Sequence, residues 1–123
     1  MYLIEQFIVA KVGMLEGQIN SRFKMANFVL FEQQINGGIS ECCHTAYNGI
    51  KFDHGLNSGA RIQVGLDIIN TLSEYYGFRA PIFIDNKESV TSLPPSESQL
   101  ISLVVDPDYK KLTVQQTEAR KAS

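Results

Sequence analysis

Between residues 3 and 26 the apolar side chains Leu3, Ile4, Phe7, Ile8, Val12, Leu15, Ile19 and Phe23 recur at intervals of three, four and one, the period of an amphipathic helix. The stripe predicts one long helix, weakened at Gly13 and Gly17, each of which costs about 1 kcal/mol relative to alanine and favours a bend midway. From residue 28 the pattern changes. A dense apolar run to residue 35, the Asn36-Gly37-Gly38 turn and a second extended run over 39–47 predict a β-hairpin. Asn48-Gly49 marks another turn, and the alternation Ile50-Lys51-Phe52-Asp53 predicts a short third strand. Over 57–76, Ile62, Leu66, Ile69 and Leu72 form one stripe flanked by Val64, Ile68 and Tyr75, which predicts a second helix ended by Gly77. Pro81 opens the run Ile82-Phe83-Ile84, which stops at Asp85 and is too apolar on both faces for an edge strand. A brief helix over 87–93, a buried strand over 100–105, a Pro-Asp turn at 106–108 and a last strand over 111–115 follow, and 117–123 reads as a flexible tail.

The length of 123 residues suits a single compact unit, here 1–116, and 44% hydrophobic with 20% charged residues excludes a largely disordered chain. A formal net charge of −2 provides no basic field to draw nucleic acid, so DNA contact is expected only locally or through another segment. Cys42 and Cys43 are the only cysteines, and adjacent strand residues face opposite ways, which argues against a disulfide between them and for a reducing compartment. No apolar run is long enough to span a bilayer and no secretory leader pattern opens the chain, so a cytoplasmic protein without a membrane segment is expected.

Asp85 carries the first hint of chemistry. An acid at the C-terminal end of a buried strand projects into the crevice where α/β sheets bind ligands; its alternative role is to cap the segment that follows. Upstream, LNSGARIQVGLDII over 56–69 resembles the signature motif and helix of ATP-binding-cassette ATPases of the SMC-like and double-strand-break-repair class, whose pattern runs L-S-G-G-E-R-I-x-L-G-L. Leu56, Gly59, Arg61, Ile62, Gly65 and Leu66 match directly, and Val64 matches conservatively. The order of parts is similar as well. PIFID over 81–85 resembles the Walker B strand, Gln99 to Leu103 resembles the strand after it, and the helix over 1–26 resembles the foot of a coiled-coil arm. FVLFEQQINGG, GLDIINTL and PIFIDNKESV look more narrowly like a phage and bacterial subgroup of these ATPases.

The resemblance implies an α/β fold: a long N-terminal helix, a small antiparallel sheet, then the signature helix and Walker B strand of a C-terminal lobe, half of a P-loop NTPase domain. It implies that Asp85 holds Mg2+ through water, and that Asn57, Ser58, Gly59 and Arg61 contact the γ-phosphate of an ATP held by an opposing head, where a helix N-terminus favours anions. Arg61 has two other readings, an ion pair and a solvated cation. Departures are marked. Asn57 stands at the signature serine, Ser58 at the first glycine and Ala60 at the glutamate. Asn86 occupies the position of the glutamate that polarises the attacking water, and an amide does not accept a proton at neutral pH, which leaves Glu88 as the substitute acid. Asp106 stands where a switch histidine is expected.

No G-x-x-x-x-G-K-[ST] occurs in the sequence, so the loop that cradles the β- and γ-phosphates must come from elsewhere. The expected function is therefore the signature and Walker B half of an SMC-like ATPase of DNA repair, recombination or phage DNA metabolism, inactive by itself. ATP and Mg2+ would bind only together with an N-terminal Walker A lobe, in cis or in trans, with self-association as a homodimer and DNA reached through the complete complex. The alternative is a non-catalytic assembly module derived from such a lobe, and a third reading is an unrelated α/β binding domain. His44 follows the two cysteines, but C-C-H lacks the spacing that wraps ligands around zinc, and His54 sits in a turn; both read as surface histidines.

Overall fold

The computed structural model describes residues 2–117, and its architecture is α/β, with two helices and two small sheets. Helix α1 (Tyr2–Asn20) leads into a meander of β1 (Asn27–Gln33), β2 (Ile39–Tyr47) and β3 (Ile50–Lys51), then α2 (Ser58–Tyr76) and the parallel pair β4 (Ile82–Ile84) and β5 (Leu100–Ser102).

Helix α1 runs unbroken through Gly13 and Gly17 but stops at Asn20, six residues short of the predicted end. The reason is a competition for backbone groups. The Asn20 amide donates to the Phe28 carbonyl at 2.9 Å while its oxygen accepts the Phe28 N–H at 2.7 Å, so one side chain acts as a strand partner for β1. One turn back, Glu16 accepts the Leu30 N–H at 3.0 Å. These two polar residues cover the outer edge of β1, a position that otherwise presents unpaired groups.

The N–H groups of Lys24, Met25 and Ala26 all point at one carboxylate, that of Asp67 on α2. Met25 and Ala26 donate to its Oδ2 at 2.7 and 2.9 Å, and Lys24 is shared between both oxygens at 3.2 and 3.1 Å. Three donors given to a side chain cannot continue a helical ladder, which fixes 21–26 as a connector. Asp67 is only 5% exposed, and its burial is tolerable because its lone pairs are met.

The meander forms as expected. Gly37 (φ 82°) serves the first turn, and Asn48 (φ 50°) and Gly49 (φ 78°) hold the successive left-handed conformations of a tight hairpin turn. The third strand is shorter than the 50–53 alternation suggests. The Phe52 N–H still reaches the Thr45 carbonyl at 2.8 Å, but Phe52 packs inward and the chain then turns toward α2.

Helix α2 starts with Asn57, whose side chain accepts the Ala60 N–H at 2.8 Å, and ends at Gly77 in the left-handed region (φ 64°). It separates two apolar clusters. Val64, wholly buried, joins Ala26 and Leu56 with Phe23, Phe28 and Phe52 around them, while Leu66 joins Ile82 and Ile84 with Ile62, Leu93 and Leu100. Polar side chains of α2 pin the β4–β5 connection along its length: Gln63 donates to the Ser92 carbonyl at 3.0 Å, Asn70 to that of Pro95 at 3.1 Å, and Ser96 donates to Asn70 at 2.7 Å.

Three expectations for the C-terminal third change. The helix over 87–93 is a single 3₁₀ turn at Lys87–Ser89, the strand over 100–105 ends at Ser102, and 111–115 is not a strand. Val104, Val105, Leu112 and Val114 are exposed, and the short β5 has no neighbour beyond β4 among the described residues, so nothing pairs with these segments. β4 itself is expected to be interior, yet it pairs only with β5 here and leaves Phe83 68% exposed. The tail expected at 117–123 falls, except for Thr117, outside the described residues.

Replacing Asp67 by alanine strands three amide donors, that of Ala26 buried and those of Lys24 and Met25 part-buried, and an unmet buried donor costs about 1–3 kcal/mol. Asp67→Ala should therefore cost about 3 kcal/mol or more, and Asp67→Asn, which keeps one acceptor, distinctly less. Urea unfolding followed by circular dichroism checks this; an alanine variant within about 0.5 kcal/mol of the parent would remove Asp67 from the centre of the fold.

Candidate functional site

The turn that resembles a signature motif lies at the start of α2 and is closely packed. The Asn57 side-chain oxygen is committed to the Ala60 N–H, and Ser58 is exposed. A Cβ added at Gly59 would come within 2.8 Å of the Ser89 carbonyl oxygen, so the absence of a side chain here admits the 3₁₀ turn that follows β4. Arg61 folds back: its guanidinium donates to the Asp53 carbonyl at 3.0 Å and lies 5.8 Å from the centre of the Phe52 ring, a cation–π contact that orients it toward the β3–α2 connection.

Asp85 follows β4, is exposed, and accepts the Asn86 N–H at 3.0 Å. Asn86 adopts φ 54°, and its carbonyl receives both the N–H and the hydroxyl of Ser89. Glu88 is exposed on the 3₁₀ turn. The fold thus brings Gly59 against the segment that carries Glu88 and follows Asp85. Asp106 belongs elsewhere, in a turn closed by its own side chain on the Asp108 N–H at 3.0 Å. It borders a concavity of about 690 Å³ that the 102–117 segment forms on itself and that includes none of Asn57, Ser58, Gly59, Arg61, Asp85, Asn86 or Glu88.

A second constellation lies on the meander. Glu32 from β1 and Cys42 and His44 from β2 place one donor atom each within 4.8 Å of one another. His44 Nε2 is 3.6 Å from Glu32 Oε1, which also receives Lys51 Nζ at 3.2 Å. A β-bulge lies beside the group. Between the pairs Val29–His44 and Phe31–Glu41 there is one residue of β1, Leu30, against two of β2, Cys42 and Cys43. An unshifted register would set Glu32 against Glu41, two like charges face to face; the bulge gives it Ser40 instead. The C-C-H spacing did not suggest this group, because its third member comes from across the hairpin. The Asn36-Gly37-Gly38 turn was the legible signal that residues 32 and 40–44 meet.

Both thiols are free. Partial burial, followed by the charge of Glu32, raises the Cys42 thiol above its ordinary value, and its S–H lies 3.5 Å from the Val29 carbonyl oxygen as a donor. Among the described residues no helix is long and apolar enough to cross a membrane. Comparison with protein families, curated proteins and solved structures gives no match to this chain.

Gly59→Ala should destabilise by about 1–3 kcal/mol, because the Ser89 backbone has to shift, whereas Gly65→Ala, which meets open space in the same helix, should stabilise by up to about 1 kcal/mol; equal effects in thermal melts would contradict the close approach. For the thiols, the thiolate is the reactive form, so a raised pKa slows Cys42 at neutral pH and its alkylation accelerates as pH rises toward and through that pKa. Mass spectrometry after brief iodoacetamide treatment should find the exposed Cys43 labelled first at pH 7, with the gap closing at high pH or in Glu32→Gln.

Proposed function

We propose that the chain supplies the signature and Walker-B-like half of an SMC-like ATPase head and works only when a second lobe completes it. The observation that carries this reading is the parallel pair β4–β5. Parallel strands are stable when both faces are covered and further strands flank them, yet this sheet has two strands, and Phe83 of β4 is 68% exposed. Such a fragment of sheet, two strands among the described residues, suits a half-domain awaiting strands from an N-terminal Walker A lobe, in cis or in trans.

The order of parts supports the same reading. A glycine-containing turn at a helix N-terminus precedes a strand directly followed by Asp85, and a parallel neighbour follows through a crossover. In the complete head Asp85 would hold Mg2+ through water, and the Asn57–Ser58–Gly59 turn with Arg61 would face the γ-phosphate of an opposing subunit. Asn57 can serve phosphate with its amide N–H groups while its oxygen caps α2. With Asn86 at the position of the water-polarising acid and Glu88 three residues beyond Asp85, slow turnover is expected. DNA repair, recombination or phage DNA metabolism in the cytoplasm is the setting this reading implies.

One observation favours a second reading, a non-catalytic assembly module. Helix α1 buries no residue, and its apolar face, with Leu3 82% and Phe7 67% exposed, is of the kind that pairs with another helix.

Mg2+-ATP binding and turnover should be measured for this chain alone, for a Walker A lobe alone, and for the mixture, with Asp85→Ala beside each. Binding and hydrolysis confined to the mixture and abolished by Asp85→Ala support the split head. Association of the lobes without nucleotide binding would transfer the argument to the assembly module.

A further inference from the structure

We propose that Glu32, Cys42 and His44 form a binding site for a borderline-soft divalent transition metal, Zn2+ foremost, on the β1–β2 hairpin. The donor set carries the argument first. One thiolate, one imidazole and one carboxylate combine soft, intermediate and hard ligands; that set suits Zn2+ and is a poor match for Mg2+ or Ca2+, which take oxygen.

Geometry is the second support. Zinc bonds of about 2.0–2.3 Å at tetrahedral angles set ligand atoms about 3.3–3.8 Å apart. His44 Nε2 and Glu32 Oε1 already stand at 3.6 Å, and all three donors lie within 4.8 Å, so side-chain adjustment on a half-exposed sheet closes the remainder. The backbone that holds them is a paired hairpin, β1 with β2, so the ligands are arranged by the fold rather than gathered by the ion.

Lys51 supplies the third. Its ammonium sits 3.2 Å from Glu32 Oε1 and acts as a cationic stand-in at the edge of the cluster. Its side chain is more than half exposed and is free to swing away, so the metal replaces an ion pair rather than opening a packed core. Cys43, the other residue of the bulge, is exposed and not in the cluster, which separates the two thiols by function. Three protein ligands leave one tetrahedral position for water, an external donor or a group from a partner, the coordination pattern of reactive rather than closed zinc sites. This site shares no residue with Asp85 or the Asn57–Gly59 turn, and its test does not depend on nucleotide.

The full chain should be titrated with Co2+, read by absorption, and with Zn2+ against a chromophoric chelator. One ion per chain is expected, with tetrahedral Co2+ bands and a thiolate-to-metal charge-transfer band that a large excess of Mg2+ does not remove. Cys42→Ser and His44→Ala, with folding checked by circular dichroism, should weaken binding about 100-fold or more, and the first should abolish the charge-transfer band. Cys43→Ser should leave affinity and band intact, and Lys51→Gln should tighten binding by removing the competing cation. Parent-like affinity in a folded Cys42→Ser or His44→Ala, loss of the band in Cys43→Ser, or weaker binding in Lys51→Gln would each overturn the proposal.

Discussion

The Asp67 carboxylate holds the two halves of this chain together. It lies on α2 between the residues that serve the two apolar clusters, and it takes the amide N–H groups of Lys24, Met25 and Ala26. A buried carboxylate is costly unless its lone pairs are filled, and a connector of non-helical backbone is costly unless its donors are used. Here each solves the problem of the other. The result fixes where α1 ends, where β1 begins, and how α2 lies against the meander.

The rest of the architecture follows from that placement of α2. One side of the helix closes the core beneath the meander through Val64, and the other receives the β4–β5 pair through Leu66. Gly59 at its first turn admits the Ser89 carbonyl, and Gln63 and Asn70 hold the crossover that returns the chain to β5. Helix α1 stands outside this scheme. It joins β1 through Glu16 and Asn20 in its last turns and buries none of its residues.

The two chemically interesting regions stand in different relations to this framework. The turn at Asn57–Gly59 is shaped by the same hydrogen bonds and close contact that stabilise α2, so its phosphate-binding role in our reading is built on groups the fold also needs. The Glu32–Cys42–His44 cluster sits on the meander, away from both cores, where its side chains can respond to an ion without disturbing packing.

The sequence by itself determined the elements whose cause is local. The 3.6-residue period from Ile62 to Leu72 and the Gly77 stop made α2 legible almost to the residue, and Asn48-Gly49 and the 36–38 turn located the meander, although β1 and β3 each end two residues before the runs expected to 35 and 53. What only the tertiary structure decided depended on partners distant in sequence. Asp67 reads as one polar residue in a helix until residues 24–26 arrive from 41 to 43 positions away, and α1 continues on periodicity alone past the point where those donors are taken. The last half of the strand expected over 100–105 and the strand expected at 111–115 had the right composition but no neighbouring strand among the described residues, and a strand exists only when its backbone is paired. The Glu32–Cys42–His44 group depends on the register of β1 against β2, which includes a one-residue bulge that no hydrophobic pattern records, because it concerns which backbone pairs are hydrogen-bonded rather than which side chains are apolar.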